Sequence, residues 1–169
     1  MMYVVDGLRG VTQLDNMLYV VTSESIIMTL SVDTLSSLGD IYVQGMKHPS
    51  DIVVCRHDRQ LYVADKNSCI WRVSADDHSY IKWLPTESTT DTFHVLSLSV
   101  TSRGLLVTSP RHLLEYSTTD RQLLRVVQLP EDMTYLGHGV ETTRGTFVIG
   151  HPGRSQQCQW AVSCYHINS

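Results

Sequence analysis

Between His48 and Cys69 the chain carries two histidines (His48, His57), three aspartates (Asp51, Asp58, Asp65) and two cysteines (Cys55, Cys69). Imidazole, carboxylate and thiolate are zinc ligands, and a carboxylate or imidazole in a cleft can serve as a general base. The spacing argues against a single centre. There is no HxxxH pair, no CxxC pair and no loop of alternating aspartates. What these groups do therefore depends on which elements hold them, and how far apart.

Those elements repeat. MLYVV (17–21), QLYVA (60–64), GLLVT (104–108) and GTFVI (145–149) resemble one another. Anchored on Leu18, Leu61, Leu105 and Thr146, they recur at spacings of 43, 44 and 41 residues. A polar turn precedes each anchor, and a further short β-like run precedes each turn: GVTQL, DIVVC, LSLSV and LGHGV. A third run follows each anchor (25–32, 69–74, 112–117 and 160–167), and in the first three units a fourth (38–43, 79–84 and 122–129). No window holds a 3.6-residue apolar period over a helix length, and β-branched residues are frequent. A period of about 40 to 45 residues made of four short strands marks a β-propeller blade. The expected fold is all-β: a propeller or partial propeller of about four blades, each of four antiparallel strands A to D. The blades are placed at about 8–43, 50–84, 95–129 and 135–167. The outer strand of the last is either missing or supplied by residues 2–5. Strands A to C, sandwiched between blades, are expected to be buried on both faces.

This frame disperses the reactive groups. Cys55 closes strand A and Cys69 opens strand C, with strand B between them. At about 4.8 Å per strand the two lie roughly 9.6 Å apart, beyond the ~5.5–6 Å between Cα atoms that a disulfide needs. His57 and Asp58 belong to the A–B turn, at the opposite end of the blade from Asp65. Asp65 is expected to accept backbone N–H bonds from the B–C loop that follows it. His48, His94 and His138 all lie near strand A, but 13, 11 and 8 residues before their anchors, so a symmetric three-histidine site is not expected.

The second unit, HPSDIVVCRHDRQLYVADKNSCIWRV, resembles the NHL-type propeller repeat. His48, Pro49, Ile52, Leu61, Tyr62, Val63, Ala64, Asp65, Asn67 and Ile70 match its pattern. The loop from Asp65 to Ile70 is one residue shorter than usual, and Cys69 stands where the family often has arginine. The other units keep the rhythm but carry Thr22, Thr108 and Gly150 near the aspartate position. The resemblance implies a propeller of NHL or related six-bladed type, which usually acts as a binding platform for proteins and in some cases for RNA. Related propeller hydrolases of the lactonase and esterase kind hold a calcium ion with Glu, Asn and Asp ligands. Here only Glu24, Asp65 and Asn67 stand in the corresponding loops, with Glu141 in the last strand A. No GxSxG nucleophile motif appears, and GHPGR (150–154) lacks the lysine of a phosphate loop.

The expectation is a non-catalytic scaffold that binds a protein partner through its D–A and B–C loops, which are the longer and more variable ones. Candidate contacts are Lys66, Asn67, His94, Arg111, His112 and Arg154. No catalytic residue, metal or cofactor is assigned. The alternatives are a calcium-dependent hydrolase or an RNA-binding NHL propeller. Thirteen basic residues lie scattered against 17 acidic ones, for a net charge of -4, which disfavours RNA. No apolar stretch approaches the ~18–20 residues of a membrane span. With Met1 taken as the start, the lack of a secretory leader predicts a cytoplasmic protein with reduced thiols. Six blades of this size need roughly 260 residues. A fragment of a larger propeller is therefore expected, the remaining blades being natural partners.

Overall fold

The computed structural model describes residues 7–66, 68–85, 94–130, 137–142, 146–151 and 161–166, the last stretch and His151 by backbone alone. They contain fifteen β-strands and no helix. The chain divides into two compact units, 1–93 and 94–169.

The first unit holds two four-stranded antiparallel meanders. One is β1 (Gly10–Leu14), β2 (Met17–Val21), β3 (Ile26–Ser31) and β4 (Ser37–Tyr42); the other is β5 (Pro49–Cys55), β6 (Gln60–Asp65), β7 (Cys69–Ser74) and β8 (Tyr80–Leu84). Within each sheet every strand pairs with its neighbour in sequence, so every connection inside a sheet is a short hairpin. The two sheets pack face to face through Leu14, Tyr19, Val21, Ile27 and Ile41 of the first and Ile52, Leu61, Val63 and Val73 of the second. Each such side chain contributes about 1.5–3 kcal/mol when fully buried. Close approach also needs Gly10: a Cβ there would stand 2.9 Å from the Ile52 nitrogen. Any side chain would push β1 away from β5.

The second unit repeats the plan. Its complete sheet is β9 (Ser97–Val100), β10 (Leu105–Thr108), β11 (His112–Tyr116) and β12 (Leu123–Gln128). Its other sheet, among the described residues, has three strands: β13 (Gly139–Glu141), β14 (Thr146–His151) and β15 (Ala161–His166). Residues 2–5, suggested as its fourth strand, lie outside the described residues. Leu106, Leu113 and Leu129 meet Phe147 and Ile149 in the shared core.

The strands fall where the apolar rhythm puts them, and the turns repeat more closely than the sequence suggested. Leu35, His78 and Arg121 all have positive φ (56°, 60° and 65°), at intervals of 43 residues. Each sits four residues after a serine, and its N–H bonds to that serine's carbonyl: Ser31, Ser74 and Ser117. The same hydroxyls accept backbone N–H groups inside the turn. Thr34, Asp77 and Asp120 then accept the N–H two residues on. The C–D turn is thus a fixed device stamped three times. Its side-chain acceptors stabilise a left-handed residue without glycine.

One expectation fails at the outer face of the first sheet. Strand A was to be buried on both sides, but β1 leaves Val11 54% exposed and Gln13 exposed. β1 alternates, whereas Tyr19, Val20 and Val21 of β2 are buried in succession, as a strand covered on both faces should be.

Candidate interaction surface

In the first unit the loop end is organised by Asp65. This last residue of β6 is fully buried. One carboxylate oxygen accepts the Lys47 N–H at 3.0 Å and the Trp71 indole N–H at 3.2 Å; the other accepts the His48 N–H at 2.7 Å. The loop bonds back on itself as the Lys66 N–H reaches the His48 carbonyl at 2.9 Å. A buried carboxylate is tolerable when its lone pairs are satisfied in this way. The expected partners were wrong. Asp65 draws its main-chain donors from the D–A loop, 17 and 18 residues earlier, and not from the B–C loop beside it. The β5–β6 register explains this, because Pro49 lies opposite Asp65 and so brings Lys47 and His48 over the carboxylate. With both oxygens engaged, Asp65 does structural work.

The knot fixes the backbone and leaves its side chains outside. Lys47, His48 and Lys66 are all exposed. Gly45, at φ +95°, brings the loop over the Trp71 ring, where a Cβ would lie 3.5 Å from the indole edge. Asn67, one of the expected contacts, lies outside the described residues.

The second unit presents a separate loop cluster. His94 is exposed just before Val95, which is buried. Arg111 is exposed, and its carbonyl accepts the Leu129 N–H at 2.9 Å. His112 is half-buried and is the first residue of β11, opposite Gln128. Its carbonyl takes both the N–H and the hydroxyl of Ser109, which closes the B–C hairpin. His112 is therefore part of the frame, while Arg111 projects from it. Arg154 lies outside the described residues.

The remaining reactive groups are kept apart. Cys55 and Cys69 are buried free thiols, and burial pushes both above the usual thiol range. Among the described residues no three His, Cys, Asp or Glu side chains gather as metal ligands would. Glu141, one of the acidic groups weighed for calcium, instead lies 3.6 Å from Arg125 and accepts the Ser102 N–H.

Sequence reasoning missed two arginine junctions at which adjacent sheets are tied. Arg59 donates to Asp15 at 2.7 Å and to Asp76 at 2.8 Å, joining the A–B turns of both sheets in the first unit to a C–D turn. In the second unit Glu115 is 1% exposed and takes a forked pair from Arg125 at 3.0 and 2.7 Å, plus the Thr101 hydroxyl at 2.6 Å. The guanidinium also lies 4.9 Å above the Phe147 ring. Both junctions serve packing.

No family model matches the chain, and no curated protein matches it. Solved structures do. The computationally designed Ika4 protein superposes with a TM-score of 0.67 at 11% identity, over 95% of this chain and 91% of that one. The extracellular domain of a putative hybrid two component system from B. thetaiotaomicron gives 0.70 at 13% identity, over 96% of this chain but only 21% of that one. The β-propeller domain of Cps50 (Swd1) from Myceliophteria thermophila gives 0.69 at 9% identity, over 87% and 49%. This chain thus spans about a fifth of one natural neighbour and half of the other. The fold is an all-β propeller or partial propeller. With 812 solved chains matching, the fold by itself names no function.

Proposed function

We propose that the chain is a non-catalytic interaction scaffold of NHL-like type, binding a protein partner through the loops that join strands D to A and B to C. The observation that carries this reading is the Asp65 knot: main-chain bonds rigidify residues 47, 48 and 66 while their side chains stay in solvent. Preorganised loops on a rigid frame lower the ordering cost of binding. The knot also gives physical meaning to the NHL-like pattern, because its His-Pro and LYVAD elements are the two halves that Asp65 ties together. Lys47, His48 and Lys66 in the first unit and Arg111 in the second favour acidic segments on the partner, by charge complementarity. The unpaired thiols of Cys55 and Cys69 suit a reducing, cytoplasmic setting.

The test is charge reversal at Lys66 and at Arg111, each to glutamate, with captured protein quantified and thermal melting as a control for folding. The scaffold reading predicts loss of the protein partner at unchanged melting temperature. Loss of bound RNA instead would favour the RNA-binding alternative. Stoichiometric calcium in the purified protein, together with lactone or ester turnover, would favour the hydrolase.

A further inference from the structure

The outer strands of the three complete sheets differ in how their free edges are protected. An exposed edge is a template for another strand unless a charge, a kink or a cover prevents it. β4 carries Gly39 at φ +131° and an exposed Asp40. β8 carries an exposed Lys82. β12 reads LLRVVQ, with Leu123, Leu124 and Val126 between 46% and 52% exposed. Its single charge, Arg125, is turned inward to Glu115 and Glu141. Among the described residues, no strand pairs with the outer edge of β12.

The hydrogen-bond phase shows which groups that edge offers. The Leu129 N–H bonds inward to Arg111, and the β11–β12 register then runs without a shift from Gln128 to Arg125. In an antiparallel pair, inward and outward groups alternate. The N–H and C=O of Val127 and Arg125 therefore face β11, and those of Val126 and Gln128 face outward.

We propose that this edge pairs with β12 of a second copy of the chain, antiparallel about a two-fold axis at Val126. A two-fold perpendicular to the sheet sets each residue against one of the same parity. Centring on Val126 puts Val126 opposite Val126, Arg125 opposite Val127 and Leu124 opposite Gln128. β-branched side chains then meet directly and no like charges oppose each other. Centring on Arg125 would set guanidinium against guanidinium. The edges of β4 and β8 would bring Asp40 or Lys82 against a strand whose one charge, Arg125, is already engaged by Glu115 and Glu141, so among the outer strands of the three complete sheets β12 itself is the best-matched partner. Such an isologous contact closes at two chains. It is small, and so its affinity is weak.

The test is sedimentation velocity of the full chain from about 10 μM to about 1 mM, a range that brackets a weak dimer, with amide exchange at Val126 and Gln128. The wild type is expected to shift from one chain to two, with those two amides gaining protection as concentration rises. Val126→Lys sets charge against charge, and Val126→Pro removes only an outward N–H. Each should hold the chain as a single copy, with its melting temperature kept. A wild type that remains single at the upper limit overturns the proposal and leaves the edge to a foreign strand. A dimer that survives both substitutions overturns it in favour of another surface. Protection of Val126 at every concentration does so by showing that the chain covers its own edge.

Discussion

Asp65 shows how far a single residue can be read. Its place at the end of LYVAD marks it as special, and its structural role is legible from the residue type, since a carboxylate at a strand end collects N–H donors. Its donors are not legible, because the D–A loop folds over it only through the β5–β6 register. Asp65→Asn keeps the shape but turns an amide N–H₂ toward main-chain donors. The expected cost is about 2–3 kcal/mol, read as a lower urea midpoint with unchanged slope. An unchanged midpoint would show that the three bonds do not hold the loop. Asp77 offers a pH test at the same scale. The Ser74 hydroxyl and then Ser79 hold its carboxyl at about 2, against 3.8 ordinarily. Because the folded value lies below the unfolded one, the contribution is present above about pH 4 and lost as the pH falls toward 2. Asp77→Asn should flatten the fall of melting temperature across that window. A profile parallel to that of the wild type would contradict the assignment.

At the scale of the strand and turn, the apolar runs announce themselves because burial between sheets demands them at a fixed period. The finer signal also stood in the sequence: Ser31, Ser74 and Ser117 recur every 43 residues, each followed three positions later by Thr or Asp. It escapes a search keyed to apolar residues. The Arg125–Glu115–Glu141 junction could not have been seen, because the β11–β12 register sets Arg125 opposite Glu115 and only the packing of the next sheet brings Glu141 to it. Removing Arg125 as alanine strands a buried carboxylate and is expected to cost about 3–5 kcal/mol, seen as a large drop in melting temperature. Replacing the pair together, Arg125→Met with Glu115→Leu, should recover much of that loss. A double variant as unstable as the single one would mean that the packing around Phe147 matters, and the charge does not.

At the scale of the whole molecule, repetition explains why residues that suggested a metal centre form none among the described positions: each lies at a different edge or end of a sheet. Cys55 and Cys69 lie on strands separated by β6. His57 and Asp58 occupy the turn end, and Asp65 the loop end. The same repetition separates two kinds of connection. C–D turns are copied from sheet to sheet and serve folding, whereas D–A and B–C loops vary and form the surface proposed for recognition. Hydrogen-exchange footprinting of the chain alone and with any protein it captures tests this division most directly. The account predicts new protection at residues 44–48, 66–68 and 109–112, with the C–D turns at 31–36, 74–79 and 117–122 unchanged. Protection confined to those turns, or absent from the loops, would contradict it.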